Sequence, residues 1–247
     1  MSELINIAHR GASGDYPENS LLAFEKAVEM CCDAVELDLQ LTKDGVVVVF
    51  HDEKLDRITD GSGLLVDYNY SQLSKLEILD NNENRKYAKQ RIITLEELLE
   101  RFKNQDIVLN LELKNNIVHY PGLEKKVCDL LKKYDFVDKS LISSFNHYSL
   151  IKVNQICPEL DLGIIYLAAL YKAEKYADSL PCKIKSLHPL FTTLDQDVVA
   201  NIKNAGYKIY AYTINEEKHI KYMFDLEIDG IITDYPDKLK NISTRYE

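Results

Sequence analysis

The stretch AVELDLQLTKDGVVVVFH, residues 34–51, decides how this chain is read. Its first half alternates Val35, Leu37 and Leu39 with Glu36, Asp38 and Gln40, so it is a strand with one apolar and one polar face. Only Thr42-Lys43-Asp44-Gly45 separates it from a second apolar run, VVVVFH. A parallel crossover needs a dozen or more residues, so the second run must return antiparallel. Asp-Gly between apolar runs favours a two-residue type I′ turn. With Asp44 and Gly45 at its centre, Lys43 pairs with Val46, Gln40 lies opposite Val49, and Asp38 lies opposite His51. That register predicts that His51 shares a face with Asp38 and Glu36, whereas a bulge would shift it.

Working outward, short Val- and Ile-rich runs recur at 4–8, 34–41, 107–113, 140–145, 161–167, 184–188, 207–213 and 229–233. Helical patterns lie between them, at 19–30, 94–102, 121–134, 147–156, 194–206 and 215–225. In the first, Leu21, Leu22, Phe24 and Val28 fall near one face. Thr94 with Glu97 forms a capping box, and Gly206 is placed to stop its helix. Strands and helices alternating in this way read as parallel β/α units, and eight of them predict an α/β fold, a TIM (β/α)8 barrel. An open doubly wound sheet is the alternative, but no G-x-G-x-x-G follows any strand. Residues 52–92 lack the rhythm. They are polar and turn-rich, and read as an insertion on the C-terminal face without a core of its own, within a single domain over 1–247.

Composition narrows the class. A formal net charge of -10 argues against nucleic acid and anionic membranes as main partners. The five cysteines are odd in number and form no C-x-x-C, which predicts a reducing, cytoplasmic setting. The N-terminus has no basic region leading into an apolar one, and no apolar run approaches the roughly 18 residues that span a bilayer.

In a barrel the C-terminal strand ends converge on one mouth. Here they carry His9-Arg10, Glu36 with Asp38, His51-Asp52, and Glu112 with Lys114. Glu36 and Asp38 stand on one face, where bare carboxylates repel and lose hydration. A divalent cation relieves both, and Glu112 completes a hard oxygen set suited to Mg²⁺ or Ca²⁺. A salt-bridge network with Lys114 and Arg10 is the plain alternative. His9 and His51 suit proton transfer near neutral pH, and Arg10 offers a planar fork to phosphate oxygens. Gly11 and Gly14 either admit a ligand to the backbone or only make turns. Glu18-Asn19 reads as a cap of the helix starting near Ser20, with Glu18 also an outer metal or substrate contact. Phe145 and Asn146 are candidate pocket residues. His119, His147, His188 and His219 have no nameable partners; His188, at the end of the sixth strand before Pro189, is a candidate to line the mouth, with a loop role preferred. Ser143 and Ser144 lack a nucleophile elbow.

In order, the motifs AHRGASGDYPENSLLAFEKAV, VELDLQLTKDGVVVVFHD, LDRITDGSG, ITLEELLE, LNLELK and DGIITDYP resemble the glycerophosphodiester phosphodiesterase family over nearly the whole chain. The resemblance implies a TIM barrel with a small insertion after the second strand. It implies hydrolysis of deacylated phospholipids to sn-glycerol 3-phosphate and an alcohol. It gives His9 and His51 acid–base roles, makes Glu36, Asp38 and Glu112 metal ligands, and puts Arg10 and Lys114 by the phosphate. Two departures stand out. Tyr212 occupies the place of a family Trp, walling the substrate pocket in a chain without Trp, and PENS replaces PENT. The nucleophile is water or the substrate's own 2-hydroxyl. The order of base and acid stays open, with His9 as base the preferred one. Rival readings are a lysophospholipase D, for which Leu167, Leu170 and Tyr171 could meet an acyl chain, and a non-catalytic binding protein, which a lost catalytic residue would signal. A homodimer is compatible with the chain.

Overall fold

The computed structural model describes residues 4–79 and 88–243. Strands β1 (Ile5–Ala8), β2 (Ala34–Leu41), β3 (Val47–Val49), β4 (Glu77–Ile78), β5 (Gln90–Arg91), β6 (Val108–Leu113), β7 (Ser140–Ser144), β8 (Asp161–Tyr166), β9 (Ile184–Pro189), β10 (Lys208–Ala211) and β11 (Gly230–Thr233) follow in chain order. Between and after them come α1 (Leu21–Glu29), α2 (Tyr70–Leu73), α3 (Leu95–Phe102), α4 (Leu123–Lys133), α5 (His147–Ile156), α6 (Ala173–Ser179), α7 (Gln196–Asn204), α8 (Glu217–Asp225) and α9 (Pro236–Ser243). β1, β2 and β6 to β11 run parallel, and β1 pairs with both β11 and β2, which closes the barrel. The main apolar core lies between strands and helices: Val35, Leu37, Leu39, Leu109, Leu111 and Ile231 point outward into it. α6 and α9 are the helices that the periodicity does not single out.

The helix ends follow local chemistry. Thr94 and Glu97 form the expected capping box at α3. Gly206, at φ +90, donates its N–H to Lys203 O and stops α7. The cap of α1 differs from expectation by one residue: Ser20 Oγ accepts from Ala23 N at 3.1 Å, and Asn19 turns away at φ +55. The buried face of α1 centres on Ala23, Phe24 and Ala27; Phe24 fills the core and the two alanines let helix and barrel approach. Gly11 belongs to that approach, since a Cβ on it would lie 2.6 Å from the Ala23 carbonyl carbon, and its φ is +81. Gly11 thus makes room for protein; so does Gly14, packed on the Tyr235 ring.

The hairpin corrects the expected register. β3 does return antiparallel, but Leu39 pairs with Val49, Gln40 with Val48 and Leu41 with Val47. The loop holds three residues, Lys43, Asp44 and Gly45, with Gly45 at φ +77 and its N–H donated to Thr42 O. This is the type I turn with a left-handed third residue, and it shifts the pairing by one. Thr42 selects it: its hydroxyl donates to Asp44 Oδ1 and accepts from Val46 N. Phe50 therefore stands opposite Asp38, and strict alternation would turn His51 away from the carboxylates. Alternation ends at Val49, where β3 stops and the chain bends. Gln40 holds that bend, donating to both Phe50 O and Asp52 O, on either side of His51. His51 reaches the site through the bend and not through the ladder.

The segment after the hairpin has a small apolar cluster of its own, which its polar composition hides. Leu55, Ile58, Leu65, Leu73, Ile78 and Ile92 gather around Val48 and Phe50 of the return strand. Residues 80–87 of the segment lie outside the described residues. Among the described residues no helix is long and apolar enough to cross a membrane.

Candidate active site

β2 and β6 pair so that Asp38 stands beside Glu112 and Glu36 beside Asn110. Alternation turns all four side chains into the barrel. Glu36, Asp38 and Glu112 are all buried, and each offers an oxygen within 4.8 Å of the others. Lys114 Nζ lies 2.9 Å from Glu112 and 3.7 Å from Asp38, and Arg10 Nε lies 3.4 Å from Asp38. Asn19 donates to Asp38 Oδ2 at 2.9 Å, a contact set up by its left-handed backbone.

These contacts are shared unequally. Burial pushes the Asp38 carboxyl up, but Lys114, Arg10, His51 and the Asn19 amide outweigh it and hold it well below the carboxylate range. Glu36 receives the Arg10 backbone N–H at 2.9 Å. Burial and the charges of Asp38 and Glu112 still leave its pKa well above the ordinary value. Burial likewise pushes Glu112 up to about 7, against the pull of Lys114. The wider site sets six carboxylates, Glu18, Glu36, Asp38, Asp52, Glu112 and Asp234, against three fixed cations, Arg10, Arg57 and Lys114. Three hard oxygen donors, two of them kept protonation-prone by burial and by neighbouring carboxylates, fit a divalent cation.

Each histidine has a carboxylate behind it. His9 Nδ1 lies 2.6 Å from Asp234 Oδ1. Asp234 also accepts from Ser13 Oγ and Asn215 Nδ2; burial pushes its carboxyl up, but His9 foremost, with Asn215 and Ser13, holds it below the usual range. His51 Nδ1 lies 2.6 Å from Asp52 Oδ1, and Arg57 grips Asp52 through Nε and Nη2. Burial, with Arg10 and Lys114 nearby, holds the His51 pKa below its ordinary value. Glu18 joins the two cations, accepting from Arg10 at 2.9 Å and from both Arg57 terminal nitrogens. Burial works against the Glu18 charge, but Arg57 and Arg10 keep its pKa low.

His9, Arg10, Glu36, His51, Glu112 and Lys114 line one cavity of about 160 Å³, which Phe145 and Tyr212 also wall. Phe145 meets the Tyr212 ring edge-on, with Lys114 Nζ 6.0 Å from the Phe145 centroid. The Tyr212 hydroxyl donates to Tyr166 O. Glu18 is not among the lining residues and serves through Arg10 and Arg57. Asn146 caps α5 and donates to Asn115 O. A larger cavity, about 360 Å³, opens at the N-terminal end between Ile5, Ala34, Asp138 and Tyr210. Its lining includes no histidine, whereas His9, His51 and His188 all line the smaller one.

The residues that the sequence reading misses are the supports: Asp234, Asn215, Ser13, Arg57 and Asn19. Asp234 is 225 residues from His9 and meets it only because β1 and β11 close the barrel. A Thr-Asp at the end of the last strand is the signal that could have found it.

Paired histidines backed by carboxylates, beside fixed cations and an acidic cluster at a (β/α)8 mouth, are the groups that acid–base chemistry on an anionic substrate would need. The chain belongs to the glycerophosphoryl diester phosphodiesterase family, which it matches over residues 9–238. A glycerophosphodiester phosphodiesterase of Caldanaerobacter subterraneus subsp. tengcongensis is 40% identical over 236 residues, 96% of either chain. A phosphodiesterase of Oleispira antarctica, solved in complex with the product sn-glycerol-3-phosphate, matches with a TM-score of 0.84 and 32% identity over 96% of this chain and 95% of its own. A glycerophosphodiester phosphodiesterase of Thermotoga maritima matches with a TM-score of 0.78 and 26% identity over 98% and 100%.

Proposed function

We propose that the protein hydrolyses glycerophosphodiesters to sn-glycerol 3-phosphate and an alcohol, with a divalent cation and two histidines. The observation that carries this is one cavity lined by both carboxylate-backed histidines, Arg10, Lys114, and Glu36 and Glu112 of the acidic cluster. Barrel and insertion act as one unit, because Arg57 of the insertion pairs with Glu18 of the loop after β1. All five cysteines are free, which supports a reducing, cytoplasmic setting.

Glu36, Asp38 and Glu112 would hold the cation, Mg²⁺ or Ca²⁺. When bound it supplies positive charge for the phosphoryl oxygens and for these carboxylates. Arg10 and Lys114 add the charge that meets the developing negative charge in the transition state. His51 rests as neutral imidazole, with Nδ1 committed to Asp52, so Nε2 takes the proton of the attacking oxygen. His9 delivers a proton to the departing alkoxide, and the Asp234 carboxylate, with no cation bound to it, stabilises the imidazolium. This reverses the order preferred from the sequence, for an electrostatic reason: Arg57 neutralises the carboxylate behind His51 and leaves the one behind His9 charged.

The direct test is release of glycerol 3-phosphate from glycerophosphocholine with Mg²⁺, with Ca²⁺ and with EDTA. Metal-dependent release is expected. Release that survives EDTA would remove the cation, and no release under any condition would remove the substrate class. Lysophospholipid cleavage is a second reading, favoured by Leu167 and Tyr171 in the β8–α6 connection, 61% and 83% exposed; Leu170 packs against the core. Lysophosphatidylcholine in the same assay decides it.

A further inference from the structure

His188, for which the sequence prefers a loop role over a place at the mouth, lies inside the barrel. β9 turns Ser186 and His188 inward, in register with Gly163 and Ile165 of β8. The imidazole is 1% exposed and lines the cavity that holds His9, His51, Glu112 and Lys114. Its Nε2 lies 2.8 Å from Ser186 Oγ. Its Nδ1 is buried and has no hydrogen-bond partner among the described residues. The position is built for the ring. A Cβ on Gly163 would lie 2.5 Å from Nε2 and 2.9 Å from Cε1, so β8 carries no side chain where the imidazole sits.

A buried polar atom without a partner is unfavourable and calls for one. Burial pushes the His188 pKa to about 3, so the ring is neutral at working pH. Arg10 and Lys114 already serve a phosphate. A neutral imidazole complements a neutral hydroxyl, to which it donates or from which it accepts, while the Ser186 hydroxyl rotates to fit the other nitrogen. We propose that His188 Nδ1 binds a free hydroxyl of the glycerol moiety and selects polyol phosphodiesters over diesters that lack it. This rests on the phosphodiesterase reading above.

The test is a binding cycle in the presence of Mg²⁺. Dissociation constants for sn-glycerol 3-phosphate and for propyl phosphate, which has the same carbon chain without hydroxyls, are compared in the wild type and in His188→Leu, His188→Asn and His188→Gln. The wild type should prefer glycerol 3-phosphate. His188→Leu should lose about tenfold or more of that preference, with propyl phosphate affinity nearly unchanged. The Asn amide reaches the Nδ1 position and should keep most of the preference; Gln reaches towards Nε2 and should not. An undiminished preference in His188→Leu overturns the proposal. Should that variant fail to fold, equal preferences in the Asn and Gln variants overturn it instead. Equal wild-type affinity for both esters sinks the His188 role alone, and binding of neither ester sinks the phosphodiesterase reading with it.

Discussion

The two histidines of the site have the same local geometry and opposite surroundings. Each places Nδ1 2.6 Å from a carboxylate oxygen. Behind His9 stands Asp234, held by neutral donors, Ser13 and Asn215, all on barrel loops. Behind His51 stands Asp52, the next residue in sequence, gripped by Arg57 from the insertion. A carboxylate held by hydroxyl and amide keeps its full charge for the imidazole, whereas one paired with guanidinium does not. The first arrangement suits a histidine that must carry a proton, the second one that must rest without it. On the proposed mechanism, the same motif type, histidine on carboxylate, serves two roles through what lies one contact further out.

The largest effects should come from removing either ring. His9→Ala and His51→Ala are each expected to lower kcat for glycerophosphocholine by at least roughly a hundredfold, the usual scale for acid–base groups. Near-normal turnover in one would take that residue out of the mechanism and end the comparison.

Removing Arg57 should sharpen it. Because the His51 pKa is depressed, the fall of kcat/KM on acidification should centre below the ordinary histidine value of 6.5. Arg57→Gln leaves Asp52 uncompensated beside His51, which favours imidazolium. That limb should move to higher pH. A profile that does not move would mean Arg57 serves only to hold the insertion.

Between the histidines, the acidic cluster makes a stability prediction. The folded pKa of Glu112, about 7, lies above its ordinary 4.5, and Glu36 shifts in the same direction. A raised folded pKa contributes stability that is complete below the unfolded value and is lost as pH rises through the folded one. In EDTA the melting temperature should therefore fall between pH 5 and pH 8, by on the order of 5 °C. Mg²⁺ or Ca²⁺ should abolish the fall. The depressed carboxylates, Asp38 and Asp234, act at lower pH and do not enter this window. A flat EDTA curve would mean the three carboxylates are satisfied without a cation.

The smallest effect belongs to Tyr212. Its hydroxyl donates to Tyr166 O, which Leu190 N also reaches at 3.1 Å. Tyr212→Phe should lower stability by about 1 kcal/mol and change KM less than about threefold. A larger rise in KM would make the hydroxyl a substrate contact.

How much of this could be read from residues alone follows a physical line. The barrel was legible because eight apolar runs kept strand length and spacing. Glu36, Asp38 and Glu112 were legible because alternation turns polar residues inward where an apolar face was due. His51 reached the expected place by an unexpected route, since Asp-Gly does not by itself separate a two-residue from a three-residue loop; Thr42 does. Asp234 and Asn215 were hidden because their link to His9 exists only after closure. Arg57 was hidden in a segment whose polar composition conceals Leu55, Ile58 and Leu65. His188 ends the sixth apolar run, where a loop role competes with a place at the mouth; β9 continues through Pro189 and turns the ring inward.

The division of labour between the two histidines can be tested most directly by changing the leaving group. A glycerophosphodiester of p-nitrophenol releases a phenolate that needs no proton. With this substrate His9→Ala should recover to within about tenfold of wild type, while His51→Ala remains at least roughly a hundredfold slow. Recovery of His51→Ala with His9→Ala still slow would contradict the account and restore His9 as the base.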